Sequence, residues 1–178
     1  MLTDHPTGDS VTRVHRVFAF VDLSGFTAFT AQQGDTSAVN LLADFRRVVR
    51  LVASHKGVRV AKWLGDGAML VGLETELLVE AIVDIEMGVQ QSDSPLALRA
   101  GIAEGNVILF EGDDYIGQPV NLAARLCDLA QPEQVLAPSS LVSSMMVNTD
   151  VTEIGAHSVA GLEEPIELVS LDSAAELR

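Results

Sequence analysis

Residues 14–27, Val14-His15-Arg16-Val17-Phe18-Ala19-Phe20-Val21-Asp22-Leu23-Ser24-Gly25-Phe26-Thr27, decide how the rest of the chain is read. Val14 to Val21 is largely apolar and stops at Asp22, which predicts a buried central strand. The turn at Ser24-Gly25 then opens a short helix. Further on, Leu41, Phe45, Val48 and Val52 recur at spacings of four and three, so about Thr36 to Ser54 is expected to be an amphipathic helix, ended by Gly57. Val58–Trp63 and Ala68–Leu73 are two β-prone runs around Gly65-Asp66-Gly67, the pattern of a hairpin with Asp66 at its tip.

A second helix starts at Thr75 with Leu78, Ala81, Ile82, Ile85 and Val89 as its stripe, and Ser92 to Pro95 stop it. Leu96 to Leu109 reads as strand interrupted at Gly105-Asn106, and Glu111 to Asp114 as an acidic loop. Pro119 suits a first helical turn, and that helix runs to about Ala130. From Gln134 to Leu171 come short strands at Val135–Ala137, Val151–Ile154 and Ile166–Leu171 around one short helix with Met145-Met146. Residues 1–13 are expected to be a flexible lead-in, 14–172 one catalytic domain and 173–178 a tail. This order predicts an α+β fold: a ferredoxin-like or palm-type sheet with a βααββαβ core, covered by helices on one face, with extra C-terminal strands.

The 178 residues suit one domain with its own core, and 48% hydrophobic against 20% charged residues excludes a disordered or collagen-like chain. Eleven basic against 25 acidic residues give −14, a field that repels nucleic-acid backbones. Lys and Arg cluster no further than Arg46-Arg47, so no nucleic-acid partner is expected. The lone Cys127 excludes an intrachain disulfide and suits a reducing cytoplasm. The start of the chain lacks a signal-peptide pattern, and no stretch is as long as a membrane span.

Asp22 and Asp66 each sit at a turn beside a central strand, so the fold can bring both to one sheet edge. Two carboxylates there suit Mg²⁺ or Mn²⁺ with open positions for phosphates. The plainer reading is a helix cap for Asp22 and turn chemistry for Asp66. Gly25-Phe26-Thr27 open a helix after a strand, where backbone N–H groups can hold a phosphate. Lys62 stands four residues before Asp66 and, alone, reads as a surface charge. Asn121 and Arg125 share one helix face behind the acidic loop. Trp63 could wall a pocket or only pack, and Cys127 reads as a buried structural thiol.

Taken together, Val21-Asp22-Leu23-Ser24-Gly25-Phe26-Thr27, Lys62-Trp63-Leu64-Gly65-Asp66-Gly67, Asp114-Tyr115-Ile116-Gly117 and Val120-Asn121-Leu122-Ala123-Ala124-Arg125 resemble the class III nucleotide cyclase catalytic domain, in order and spacing. The resemblance implies that Asp22 and Asp66 bind two metal ions, Mg²⁺ or Mn²⁺, per active site. By the same resemblance, Lys62 and Asp114 select adenine, Asn121 and Arg125 orient the ribose and stabilise the transition state, and Gly25-Phe26-Thr27 cradle the terminal phosphates. It further implies ATP as substrate and a homodimer with two shared active sites, each drawing its metal half and its purine half from different subunits.

Adenine also follows from hydrogen-bond chemistry. A lysine can donate to N1 while an aspartate accepts from the N6 amine, and guanine presents the reverse pattern. Two features depart from the family. Ala160 stands just before Gly161, where many members carry a triphosphate-binding lysine. The interval from Gly105 to Asp114 is short, as in members with an abbreviated dimerisation arm. The expected activity is conversion of ATP to 3′,5′-cyclic AMP and pyrophosphate. The rival is a catalytically silent nucleotide-binding or dimerisation domain of the same fold. A cyclic-dinucleotide or polymerase relative is disfavoured because the hairpin tip is Gly-Asp-Gly.

Overall fold

The computed structural model describes residues 11–174, so the assignments of 1–10 to a lead-in and of 175–178 to a tail fall outside the described residues. Strand β1 (Arg13–Leu23) is central, antiparallel to β3 (Gly67–Gly72) on one side and to β4 (Leu98–Phe110) on the other. β2 (Arg59–Leu64) pairs outside β3, giving the order β2-β3-β1-β4 of a ferredoxin-like core. Beyond β4 the sheet continues through β6 (Val135–Pro138), parallel to it, then β8 (Ile166–Ser173) and β7 (Thr149–His157). β5 (Asp114–Ile116) pairs with the far end of β4.

On α2 (Asp35–Lys56), Leu41 and Phe45 bury as predicted, but the buried line continues through Val49 and Ala53, while Val48 and Val52 are only half-buried; the stripe of α3 (Thr75–Gln91) buries as predicted. Leu41, Phe45, Val49 and Ala53 of α2 and Leu78, Ala81, Ile82, Ile85 and Val89 of α3 pack on Val17, Ala19, Val21 and Leu23. Each large aliphatic side chain so removed from water contributes about 1.5–3 kcal/mol. α1 (Phe26–Gln33) rests against α2.

Cover on one face alone is not what the structure shows. α4 (Gln118–Leu129) lies on the opposite face, against β4 and β1. It comes so near that a Cβ on Gly101 would collide with the backbone of Cys127 and Ala123. The cause is legible in β1 itself: Phe18 and Phe20 alternate with Val17, Ala19 and Val21, so both faces of the strand need cover, and Phe18 packs with Met69, Val71, Ala103 and Ala123.

Three local expectations also change. β4 runs unbroken through Gly105 and Asn106, which stay paired with Arg16 and His15. Asp114 belongs to a strand, after a three-residue turn at Glu111-Gly112-Asp113, because Phe110 and Asp114 pair. Met145-Met146 lie outside any helix, and the one short helical turn of that region is 3₁₀, Ser139–Leu141. Among the described residues no helix is long and apolar enough to cross a membrane.

Candidate active site

Register brings the two aspartates together. Leu64 pairs with Gly67, leaving Gly65-Asp66 as a two-residue loop, and Gly65 takes φ 65°, a value only glycine adopts without strain. Asp22 stands opposite Gly67, and the Leu23 N–H donates to the Asp66 carbonyl at 3.2 Å. The end of β1 therefore holds the hairpin tip against Asp22. Burial pushes the Asp22 carboxyl above its ordinary value, Arg99 opposes that, and the neighbouring Asp66 charge adds to it. Asp22 does not cap α1: the N-cap is Gly25, with no side-chain bond.

Arg99 is the residue that sequence spacing did not reveal. It stands directly across from Asp22 on β4 and donates from Nη2 at 2.9 Å and Nε at 3.2 Å to one oxygen, Oδ2. Its Nη1 bonds the Asp128 carbonyl at 3.1 Å. Two mutually repelling carboxylates, one partly buried and only half occupied by Arg99, form a hard-oxygen donor set that fits a divalent cation. No group of three or more His, Cys, Asp or Glu converges among the described residues. Mg²⁺ habitually takes one or two carboxylates and completes its shell with water and substrate phosphates, so two suffice.

Lys62 and Asp114 meet, as expected of a base-reading pair. Lys62 Nζ donates to Asp114 Oδ1 at 2.6 Å, both side chains about half exposed, and this contact lowers the Asp114 pKa. Asp114 is carried there by β5, which folds back over the α4 face. Tyr115 packs edge-on against Phe18 with centroids 5.4 Å apart, and Arg59 lies 5.7 Å over the Tyr115 ring. The lysine keeps two more N–H donors and the carboxylate a second oxygen. The pair thus still offers a donor beside an acceptor, the complement of adenine's N1 and N6.

Asn121 and Arg125 are exposed on α4 and line a third place, a cavity of about 510 Å³ with Glu104, Pro119 and Val159 to Leu162. Ala160 is on that wall, so the lysine that the resemblance leads one to expect there would have pointed into the same space. Among the described residues no hydrogen bond or ion pair joins Asp22 or Asp66, Lys62 or Asp114, and Asn121 or Arg125 into one centre. The resemblance read from the sequence already divides these six, placing Asp22 and Asp66 of one centre on one subunit and Lys62, Asp114, Asn121 and Arg125 on the other.

The Gly25-Phe26-Thr27 turn has the expected form. The first bond within α1 is from Phe29 N–H to the Gly25 carbonyl at 3.0 Å, which leaves the preceding amides of that turn without intrahelical acceptors. Of the two roles open to Trp63, the structure shows packing. It packs on the α2 face with Phe45, the face opposite Lys62. Cys127 is buried against β4, and burial pushes its thiol up to about 12, in keeping with a structural role.

Comparison with known proteins places this arrangement. The sequence pattern of the "Adenylate and Guanylate cyclase catalytic domain" matches residues 12–172. An uncharacterized protein of Mycobacterium tuberculosis is 36% identical over 159 residues, which cover 89% of this chain and 42% of that protein. An adenylate cyclase of Streptomyces griseus is 26% identical over 152 residues, 85% of this chain and 38% of its own. This chain thus spans less than half the length of these relatives. The crystal structure of the adenylyl cyclase CyaB from P. aeruginosa superposes with a TM-score of 0.79 at 23% identity, covering 95% of this chain and all of that one, a likeness of fold.

Proposed function

Because the chain belongs to the adenylate and guanylate cyclase catalytic domain family, we propose that it is an adenylyl cyclase, converting ATP to 3′,5′-cyclic AMP and pyrophosphate at the interface of a homodimer. The observation that carries adenine over guanine is the Lys62–Asp114 pair, a donor and an acceptor side by side at 2.6 Å. The adenylate cyclase of Streptomyces griseus supports the same nucleotide by its name.

Asp22 and Asp66 hold the cation end of the site. When bound, Mg²⁺ or Mn²⁺, two per centre, supplies the Lewis acidity that activates the 3′-hydroxyl and screens the phosphates. The 3′-oxygen forms its bond to the α-phosphorus as the bond to pyrophosphate breaks in line, and its proton leaves to solvent. Arg125 offsets the charge that develops on the α-phosphate, and Asn121 orients the ribose. The amides of the Gly25-Phe26-Thr27 turn take the terminal phosphates. The homodimer rests on the family's division of the site, in which a second copy brings the purine half to the metal half.

A silent nucleotide-binding domain is the other reading, favoured only by Ala160, where a cation is missing from the Asn121 and Arg125 cavity. The test is cyclic AMP formation from ATP and Mn²⁺ by the purified chain. Asp22→Ala and Asp66→Ala are expected to abolish it while each shifts Tm by no more than about 2–4 °C, about 1 kcal/mol. Undiminished turnover in either variant would end the two-cation reading.

A further inference from the structure

The hairpin tip is held from a side that the reaction does not use. On α2, Arg46 and Arg50 both place their guanidinium carbons over the Trp63 ring, at 4.9 and 5.0 Å from its centroid. Phe45 meets the same indole edge-on at 6.5 Å. Arg46 alone reaches further: its Nη2 donates to the Gly65 carbonyl at 3.3 Å, while its Nε is buried without a partner. Leaving a buried guanidinium nitrogen unpaired is unfavourable, and an apolar side chain could cover Trp63 without that cost. The bond to the loop is what an apolar side chain could not make.

We propose that Arg46 is a positioning residue, which, seated on Trp63, clamps the Gly65 carbonyl and fixes the peptide that presents Asp66. The two carbonyls of the loop are then pinned from opposite sides, Gly65 by α2 through Arg46 and Asp66 by β1 through the Leu23 amide at 3.2 Å. A two-residue loop so held leaves Asp66 little freedom but its own side-chain rotamers. Outer contacts that orient a metal-binding side chain set metal affinity or activity, and a clamp on the loop backbone, remote from the reacting atoms, is expected to be felt in affinity. The proposal rests on the reading of Asp66 as a cation ligand.

Arg50 provides the comparison, since it covers the same ring without a bond to the loop. Two measurements on the full chain test the clamp. In metal-free protein, hydrogen exchange of the Gly65 to Gly67 amides should be about tenfold faster in Arg46→Gln and unchanged in Arg50→Gln. In turnover, the Mn²⁺ concentration for half-maximal rate should rise about tenfold in Arg46→Gln, with the rate at saturating Mn²⁺ preserved within about twofold. Arg46→Lys keeps the charge and the stem but not the planar fork; it should show the same two changes and serves if Arg46→Gln does not fold. Unchanged exchange in both Arg46 variants, or equal changes in Arg50→Gln, would show mere cover for Trp63 and overturn the clamp. If exchange responds but Asp66→Asn leaves the Mn²⁺ requirement unaltered, Asp66 is no ligand and the proposal falls with that reading.

Discussion

At the scale of single residues, the proposed choice of adenine hangs on Lys62 and Asp114, which meet at 2.6 Å. Replacing Lys62 with Glu and Asp114 with Ala turns a donor beside an acceptor into an acceptor beside nothing, so adenine's N1 and N6 would both go unpaired. The loss in kcat/KM for ATP should be about a hundredfold or more, with the ratio of ATP to GTP use moving toward GTP. Steady-state kinetics with both nucleotides check this, and an unaltered ATP preference would place the base elsewhere. These two residues were legible in the sequence because each stands in a short motif of fixed spacing. Arg99 was not, since its tie to Asp22 is set by the β1–β4 register across 77 positions, and no local pattern encodes register at that range. For Trp63 the sequence leaves a pocket wall and packing both open, and the structure gives packing, against Phe45 of α2. Strand side chains alternate between faces, and the irregularity between Val60 and Lys62 sets which of Lys62 and Trp63 meets the helices.

Among the elements, α2 and α3 were read from their stripes alone, because a period of 3.6 in apolar residues leaves little choice. Their mutual fixation was not legible. Lys56, in the last turn of α2, bonds Glu80 at 2.9 Å and Asp84 at 3.3 Å on α3, and Asn148 donates to Glu80 at 3.1 Å. The Glu80 bond raises the Lys56 pKa, and the same bond lowers that of Glu80. The raised lysine contributes stability that is fully present below 10.5 and lost as pH climbs through its higher folded value. The depressed glutamate contributes above 4.5, and that part is lost as pH falls through its lower folded value. Lys56→Met should therefore lower stability by about 1 kcal/mol near neutrality, some 2–4 °C in Tm. The gap to wild type should narrow in acid below 4.5 and in strong alkali above 10.5. Thermal melts of both proteins across pH check it; a gap independent of pH would mean that packing of the lysine stem, not its charge, fastens the helices.

At the scale of the whole molecule, the proposed division of the site between two copies becomes a prediction. Leu64 is opposite Gly67, which is opposite Asp22, so it shares the face that carries the aspartate, and it is 46% exposed. Phe110, just before the turn that delivers Asp114, and Ile116, two residues past Asp114 on β5, are also exposed. A second copy laid over this face would cover them while bringing its own Asn121 and Arg125 toward Asp22 and Asp66. Two inactive variants should then repair each other. In a mixture of Asp22→Ala and Arg125→Ala chains, each heterodimer has one centre with both defects and one with neither. Random exchange makes about half of the dimers mixed, with one of two centres intact, so roughly a quarter of wild-type activity should return, by the symmetry of a two-fold interface. Each variant alone must stay near zero. A site contained in one chain allows no recovery at any mixing ratio. Activity that stays at that floor, in a mixture shown by tagged pull-down to have exchanged subunits, would refute the shared site and favour a silent domain.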